Sequence, residues 1–190
     1  MQVDIFKEFN PELEKIWCDF ETEAFLTPFQ SYAWLSNWQS TVGFPLHSIQ
    51  PQLVFVRNEK EILGILPMSI RKSMGVSILE WLGGGHTDYM GPLLSDKWES
   101  MEKDFPICWQ DIINKLPSFD VIHFQKQQKF IAKMYNPLLY LFKGIDILHS
   151  FQSELDDSWD IFYAKHANSK TRQTDLSLIH ISEPTRQEAI

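Results

Sequence analysis

One stretch of the chain gathers acid–base side chains on a glycine-rich backbone: Gly83 to Pro92, reading Gly-Gly-Gly-His-Thr-Asp-Tyr-Met-Gly-Pro. Within four residues it offers an imidazole (His86), a carboxylate (Asp88) and a phenol (Tyr89). Such a set can orient a substrate amine and accept its proton, because that transfer needs a base with a near-neutral pKa. Loops held by rigid strands commonly carry function. A purely structural account covers the same residues: glycines relieve a tight turn, Asp88 caps nearby N–H groups and Tyr89 packs.

Two further groups have alternative readings. Phe29, Tyr32, Trp34 and Trp38 could line an aromatic acceptor pocket, with Trp34 and Tyr89 as substrate-binding candidates; their helical spacing is also that of a core stripe. Lys165, Lys170 and Arg172 could reach a cofactor phosphate, Lys170 and Arg172 being the cofactor candidates, or could form a solvated helix face. His47, His123, His149 and His166 show no ligand spacing, so packed or surface imidazoles and no metal site are expected. Cys18 and Cys108, far apart and among apolar neighbours, read as two reduced core thiols. No Ser-His-Asp phrase, nucleophile elbow or phosphate loop supports a covalent nucleophile or a nucleoside triphosphate.

The elements that must position these groups come from an aromatic-rich chain. Its 190 residues are 44% hydrophobic, with seven Trp and fourteen Phe, enough to build a substantial core. Seventeen basic against 25 acidic residues leave a net charge of −8, so nucleic acid is not an expected partner, although a local groove for one phosphorylated cofactor is compatible with it. The N-terminus lacks the basic and apolar regions of a signal peptide, and no run approaches the roughly 18 apolar residues of a membrane span. A soluble, cytoplasmic protein is expected.

Apolar spacing predicts a helix over residues 11–25 and a second over 30–42, capped by Ser31 and ended by Gly43 to Pro45. Strands follow over 52–57, 62–70 and 76–82, joined by turns at 58–61 and 71–75, with Pro67 implying a bulge or an edge. Three strands on short connections make an antiparallel meander. A helix is expected over 98–116, a strand over 119–124, an irregular or partly helical segment over 131–142, a strand over 145–151 and a last helix from Trp159 to Asp175. The fold class is α+β: a mostly antiparallel mixed sheet flanked by helices.

Several phrases in this order carry a family resemblance. They are Thr27 to Leu35 with Trp38; Ile62 to Pro67; Gly85 to Leu93; Asn136 to Leu138; and Trp159 to Tyr163 with Lys170 to Arg172. Over about residues 5–175 the chain resembles the N-terminal half of a GNAT-superfamily acyltransferase of the cellulose-biosynthesis (CelD) type, whose halves are similar to those of the Fem peptidyltransferases. The resemblance implies a GNAT-like half over 1–158 and, over 159–175, the start of a helix leading to a second half. It implies an acyl-CoA-dependent N-acyltransferase, with acetyl-CoA or another acyl-CoA as cofactor and a small-molecule or amino-sugar amine as acceptor. A Fem-type aminoacyl or peptidyl transferase half and a non-catalytic substrate-binding scaffold are the alternatives. In GNAT folds the CoA pyrophosphate sits at a helix N-terminus reached by a Gly-rich loop. Here the Gly83 to Gly85 run leads into His-Thr-Asp-Tyr instead, so no CoA-binding residue carries over, and this part alone is expected to be inactive.

Leu176 to Arg186 resembles the in-frame translation of a sequencing adapter. Residues 176–190 are therefore expected to be non-native and the chain to stop in mid-helix; the alternative is a native strand over 176–181 followed by a Ser-Glu-Pro turn.

Overall fold

The computed structural model describes residues 1–59, 61–145 and 154–182, with the backbone alone at 102 and 176–182. The chain divides into two units, 1–144 and 145–190. In chain order the first holds β1 (Gln2–Phe6), α1 (Pro11–Glu21), β2 (Ala24–Phe25), α2 (Tyr32–Trp38), α3 (Phe44–His47), β3 (Gln50–Asn58), β4 (Glu61–Ser73), β5 (Val76–Trp81), β6 (Leu93–Ser95), α4 (Phe105–Lys115), β7 (Val121–His123), β8 (Phe130–Ile131), β9 (Met134–Tyr135) and α5 (Leu138–Leu141). The second holds α6 (Trp159–His166) and α7 (Ser169–Ser182).

The sheet runs β1-β3-β4-β5-β7, with β6 on β4 and β2 on β6. Every pairing is antiparallel except β5 with β7, which are parallel and joined through α4. The fold is thus α+β with a mostly antiparallel mixed sheet flanked by helices. Period-two alternation sends neighbouring side chains to opposite faces. On β3, Leu53 and Phe55 meet Leu13, Trp17, Tyr32 and Leu35 of the first two helices. Val54 and Val56 meet the cluster holding Phe105, Trp109 and Ile112 of α4. Both faces of the central strands are therefore buried.

Helix α1 starts where Asn10 Oδ1 accepts from Leu13 N at 2.8 Å and Pro11 occupies the first turn. It ends at Glu21, short of Phe25, because Ala24 and Phe25 pair with Ser95 and Leu94. Helix α2 begins at the Ser31 cap, as expected. It does not stop at Gly43: a π turn over Gln39–Gly43 carries it into α3, where Pro45 lies in a first turn that needs no N–H. Strand β1, absent from the sequence reading, completes the sheet edge against β3.

The meander forms as expected, with two corrections. Strand β4 runs on to Ser73, so Arg71 and Lys72 are strand residues and the turn is the pair Met74-Gly75, both at positive φ (50° and 81°). Pro67 sits neither at an edge nor at the bulge, which falls at Val56/Arg57. It lies where β4 changes partner from β6 (at Gly64 and Ile65) to β5 (from Met68), so its missing N–H leaves no ladder bond broken.

The segment over 98–116 is a 3-10 stretch followed by α4, and the segment over 131–142 contains the β8–β9 hairpin and α5. Cys108 is buried on α4, but Cys18 is exposed on α1, contrary to expectation. The strand expected over 145–151, and His149 with it, falls largely outside the described residues.

In the second unit the single expected helix is two. Ala167 leaves helical geometry and Asn168 Oδ1 caps the new start by accepting from Thr171 N at 2.9 Å. Tyr163 donates to Asp175 at 2.8 Å across the break, and that bond raises the phenol's pKa. The backbone over 176–181, read alternatively as a strand, is helical. Among the described residues no helix is long and apolar enough to cross a membrane.

Candidate functional site

The Gly83 loop leaves the carboxyl end of β5 beside the carboxyl end of its parallel neighbour β7. Gly83 and Gly84 take positive φ (120° and 59°), and Gly84–His86 makes one 3-10 turn. Two tryptophans of α2 clamp this turn. Trp34 Nε1 donates to Thr87 Oγ1 at 3.1 Å, and the same hydroxyl donates to Gly83 O at 2.9 Å. The Trp38 ring lies so close to Gly84 that a Cβ there would stand 2.6 Å from Cζ2. From the other side Lys126 Nζ donates to Gly85 O (2.9 Å) and Thr87 O (2.7 Å). Conformationally permissive glycines are thus held in one arrangement from three directions.

Two cavities flank the clamp and share Trp38, Val42 and His86 as walls. One, about 640 Å3, is mostly apolar, lined also by Pro28, Ala33 and Trp34. Its hydroxyl and amide groups already serve their own helix: Ser31 donates to Pro28 O, Asn37 to Ala33 O and Thr41 to Asn37 O. Trp34 is 36% exposed, yet fixed by its Thr87 bond and by an edge-on contact with Phe29 at 5.2 Å. The other cavity, about 320 Å3, is the more polar of the two, about evenly mixed: His47, His123, Arg71 and Glu80 join His86 around Trp38, Trp81, Ile49 and Met90. Arg71 makes a two-pronged ion pair with Glu80 (Nε to Oε1 2.8 Å, Nη2 to Oε2 3.1 Å), which holds the guanidinium in its charged form.

The structure separates the proposed acid–base set. His86 is exposed and borders both cavities, whereas Asp88 and Tyr89 border neither. Asp88 is exposed and caps nothing among the described residues. Tyr89 packs on Phe29 at 6.2 Å, and its carbonyl accepts from Gln30 Nε2. Of the four aromatics, Tyr32 is core, Trp38 is core with its rim on the cavities, and Trp34 is the exposed platform. Lys165, Lys170 and Arg172 belong to the second unit. Arg172 donates to Ala164 O and Ala167 O at the end of α6, and Lys165 pairs with Asp156.

Sequence reading missed Arg71, Glu80, His47 and His123 as neighbours of this loop. Arg71 and Glu80 were findable. With a two-residue turn at Met74-Gly75, Arg71 faces Ile78 and lies diagonal to Glu80. The two histidines carried no local signal, since they meet the loop through non-neighbouring elements.

The loop does not fit a CoA pyrophosphate. It opens no α-helix, and Thr87 and Trp38 crowd the space over Gly83 and Gly84. Lys126, which reaches the loop, is engaged with carbonyls. Among the described residues no cluster of His, Cys, Asp or Glu is placed to hold a metal ion. No protein-family model matches the chain, and neither a curated protein nor a solved structure does.

Proposed function

We propose that residues 1–144 are the acceptor-holding half of an N-acyltransferase, with the amine-bearing acceptor seated against the Trp34 platform and its amine presented to His86. The observation that carries this reading is the position of His86. It is an exposed imidazole on a clamped turn, at the boundary between an apolar cleft and a more polar cavity. An acceptor bridging that boundary buries its carbon framework on the indole face and places a polar end beside an imidazole with a nitrogen to accept its proton. The fixed indole adds preorganisation, since no side-chain freedom is lost when the acceptor docks. The topology is consistent with the family resemblance, having antiparallel strands followed by one parallel pair across a helix. An acyl-CoA, which the resemblance implies, is expected on residues other than the Gly83–Pro92 loop.

The test is ligand-observed NMR on the 190-residue chain with small amines, amino sugars and short peptides, each paired with its hydroxyl isostere. At least one amine class should bind, prefer the amine over the isostere, and lose binding in Trp34→Ala. Failure of every amine class overturns the reading. Acetyl-CoA should show no micromolar binding by calorimetry, and such binding would overturn the exclusion of the loop as its cradle.

A further inference from the structure

The apolar cleft beside α2 narrows which amine the chain takes, an inference that rests on the acyltransfer reading above. Its walls are mostly carbon: the exposed ring of Trp34, the rim of Trp38, and Pro28, Ala33 and Val42. Three polar side chains also line it, Ser31, Asn37 and Thr41, and their hydrogens are largely engaged already. Ser31 Oγ donates to Pro28 O at 2.7 Å and Thr41 Oγ1 to Asn37 O at 2.6 Å, so neither hydroxyl has a second hydrogen to offer. Asn37 Nδ2 donates to Ala33 O at 2.7 Å, and Trp34 Nε1 to Thr87 Oγ1 at 3.1 Å. Among the described residues of this lining, one amide hydrogen of Asn37 and the imidazole of His86 are what remains for a guest.

That supply decides between two kinds of amine. An amino sugar or a short peptide carries several hydroxyl, carbonyl or amide groups along its body. Seated in this cleft, those groups leave water and meet walls with almost no free donor, and each polar group buried without a partner weakens binding. A hydrocarbon body with a single amine has the opposite balance. Its carbons gain by leaving water against Trp34, Ala33 and Val42. Its one polar end needs an acceptor, and an imidazole nitrogen of His86 stands at the edge of the cleft. The platform is also fixed in advance, because Thr87 holds the Trp34 nitrogen and Phe29 meets its ring edge-on.

We propose that the acceptor is a primary amine on an unbroken apolar body, alkyl or aryl, and that the cleft discriminates against polyhydroxylated and peptidic amines. At about 640 Å3 the cleft has room for an extended body, so affinity should keep rising as an alkyl chain is lengthened.

The experiment is a titration of the full 190-residue chain with n-butylamine, n-pentylamine, n-hexylamine and n-heptylamine, read by ligand-observed NMR. Affinity should rise roughly two- to fourfold per added CH2, the range between half and full burial of that group. 6-Aminohexan-1-ol, which carries a hydroxyl where hexylamine ends in carbon, should bind about fivefold more weakly than hexylamine, and glucosamine and glycylglycine about tenfold or more. Trp34→Ala should flatten the rise with chain length. Ala33→Arg, at an exposed wall position, should abolish hexylamine binding by bulk and like charge, and it locates the site even where the Trp34 variant folds poorly. If affinity does not rise with chain length, or if 6-aminohexan-1-ol, glucosamine or glycylglycine binds as tightly as hexylamine, the proposal is overturned and the acyltransfer reading stands. If no amine binds, if hexylamine binding survives both variants, or if hexan-1-ol matches hexylamine, the acyltransfer reading is overturned and the proposal with it.

Discussion

The Trp34 indole nitrogen reaches 53 residues along the chain to Thr87 Oγ1, at 3.1 Å, and the same hydroxyl donates to Gly83 O at 2.9 Å. One buried hydroxyl thereby ties a helix to the turn carrying His86. A loop with three consecutive glycines would otherwise sample many conformations. The tie is what makes a candidate base at the end of β5 a positioned group.

Replacing that hydroxyl with an isosteric methyl tests the tie. Thr87→Val should lower stability by about 1–3 kcal/mol, because the Trp34 N–H loses its acceptor inside the fold. For a chain of this size, that lowers the melting temperature by roughly 2–10 °C. Calorimetric scans of both proteins read it. An unchanged midpoint would show the bond to be dispensable.

Two glycines with positive φ give an internal comparison. Gly75 at φ 81° has open space where a Cβ would sit, whereas Gly84 at φ 59° has Trp38 at 2.6 Å. Gly75→Ala should cost about 1–2 kcal/mol, the backbone penalty alone. Gly84→Ala should cost clearly more, and should change the near-ultraviolet circular dichroism as the indole shifts. Equal costs in urea titrations would contradict the close approach.

The two thiols should differ sharply. Cys18 is exposed and Cys108 buried, so a disulfide-exchange reagent should label one thiol in the native protein and two in denaturant. Burial first, and then Asp111, push the Cys108 thiol up from 9.0 to about 11. The unfolded thiol therefore ionises before the folded one, and stability falls as pH rises from about 9 towards 11. Between pH 8 and 10.5 the wild type should lose roughly 2 kcal/mol more than Cys108→Ala, measured by urea unfolding.

The Arg71–Glu80 pair spans β4 and β5 beside the more polar cavity, with side chains 31% and 14% exposed. Arg71→Gln leaves a partly buried carboxylate without its cation and should cost about 1–2 kcal/mol. Glu80→Gln should cost a similar amount, and the double variant less than the sum. A strictly additive double-mutant cycle would show the pair to be energetically idle.

How much of this was legible beforehand differs by element. The Ser31 cap, the α1 and α2 stripes and the three-strand meander could be read because each rests on contacts between residues close in sequence. Strand β1 could not, because its hydrogen bonds go to β3, some fifty residues on. The running-on of α2 past Gly43 was hidden because Gly and Pro usually end helices; a π turn and a fresh first turn accommodated both here. In the candidate site His86, Asp88 and Tyr89 are adjacent in sequence, but only His86 borders the two cavities, and that follows from how α2 and the strands pack around the loop.

The order of amino acids alone settled the class of fold, since alternating and three-to-four spacing dictate which faces must be buried. It also marked the glycine-rich turn as the place where chemistry-bearing side chains gather. Tertiary structure alone decided which of them share a cavity. His47, Arg71, Glu80 and His123 come together from a helix and three strands beside the rings of Trp38 and Trp81. The physical reason is range. Local preferences act over a few residues, whereas a cavity is what remains where distant elements pack and cannot fill the space between them.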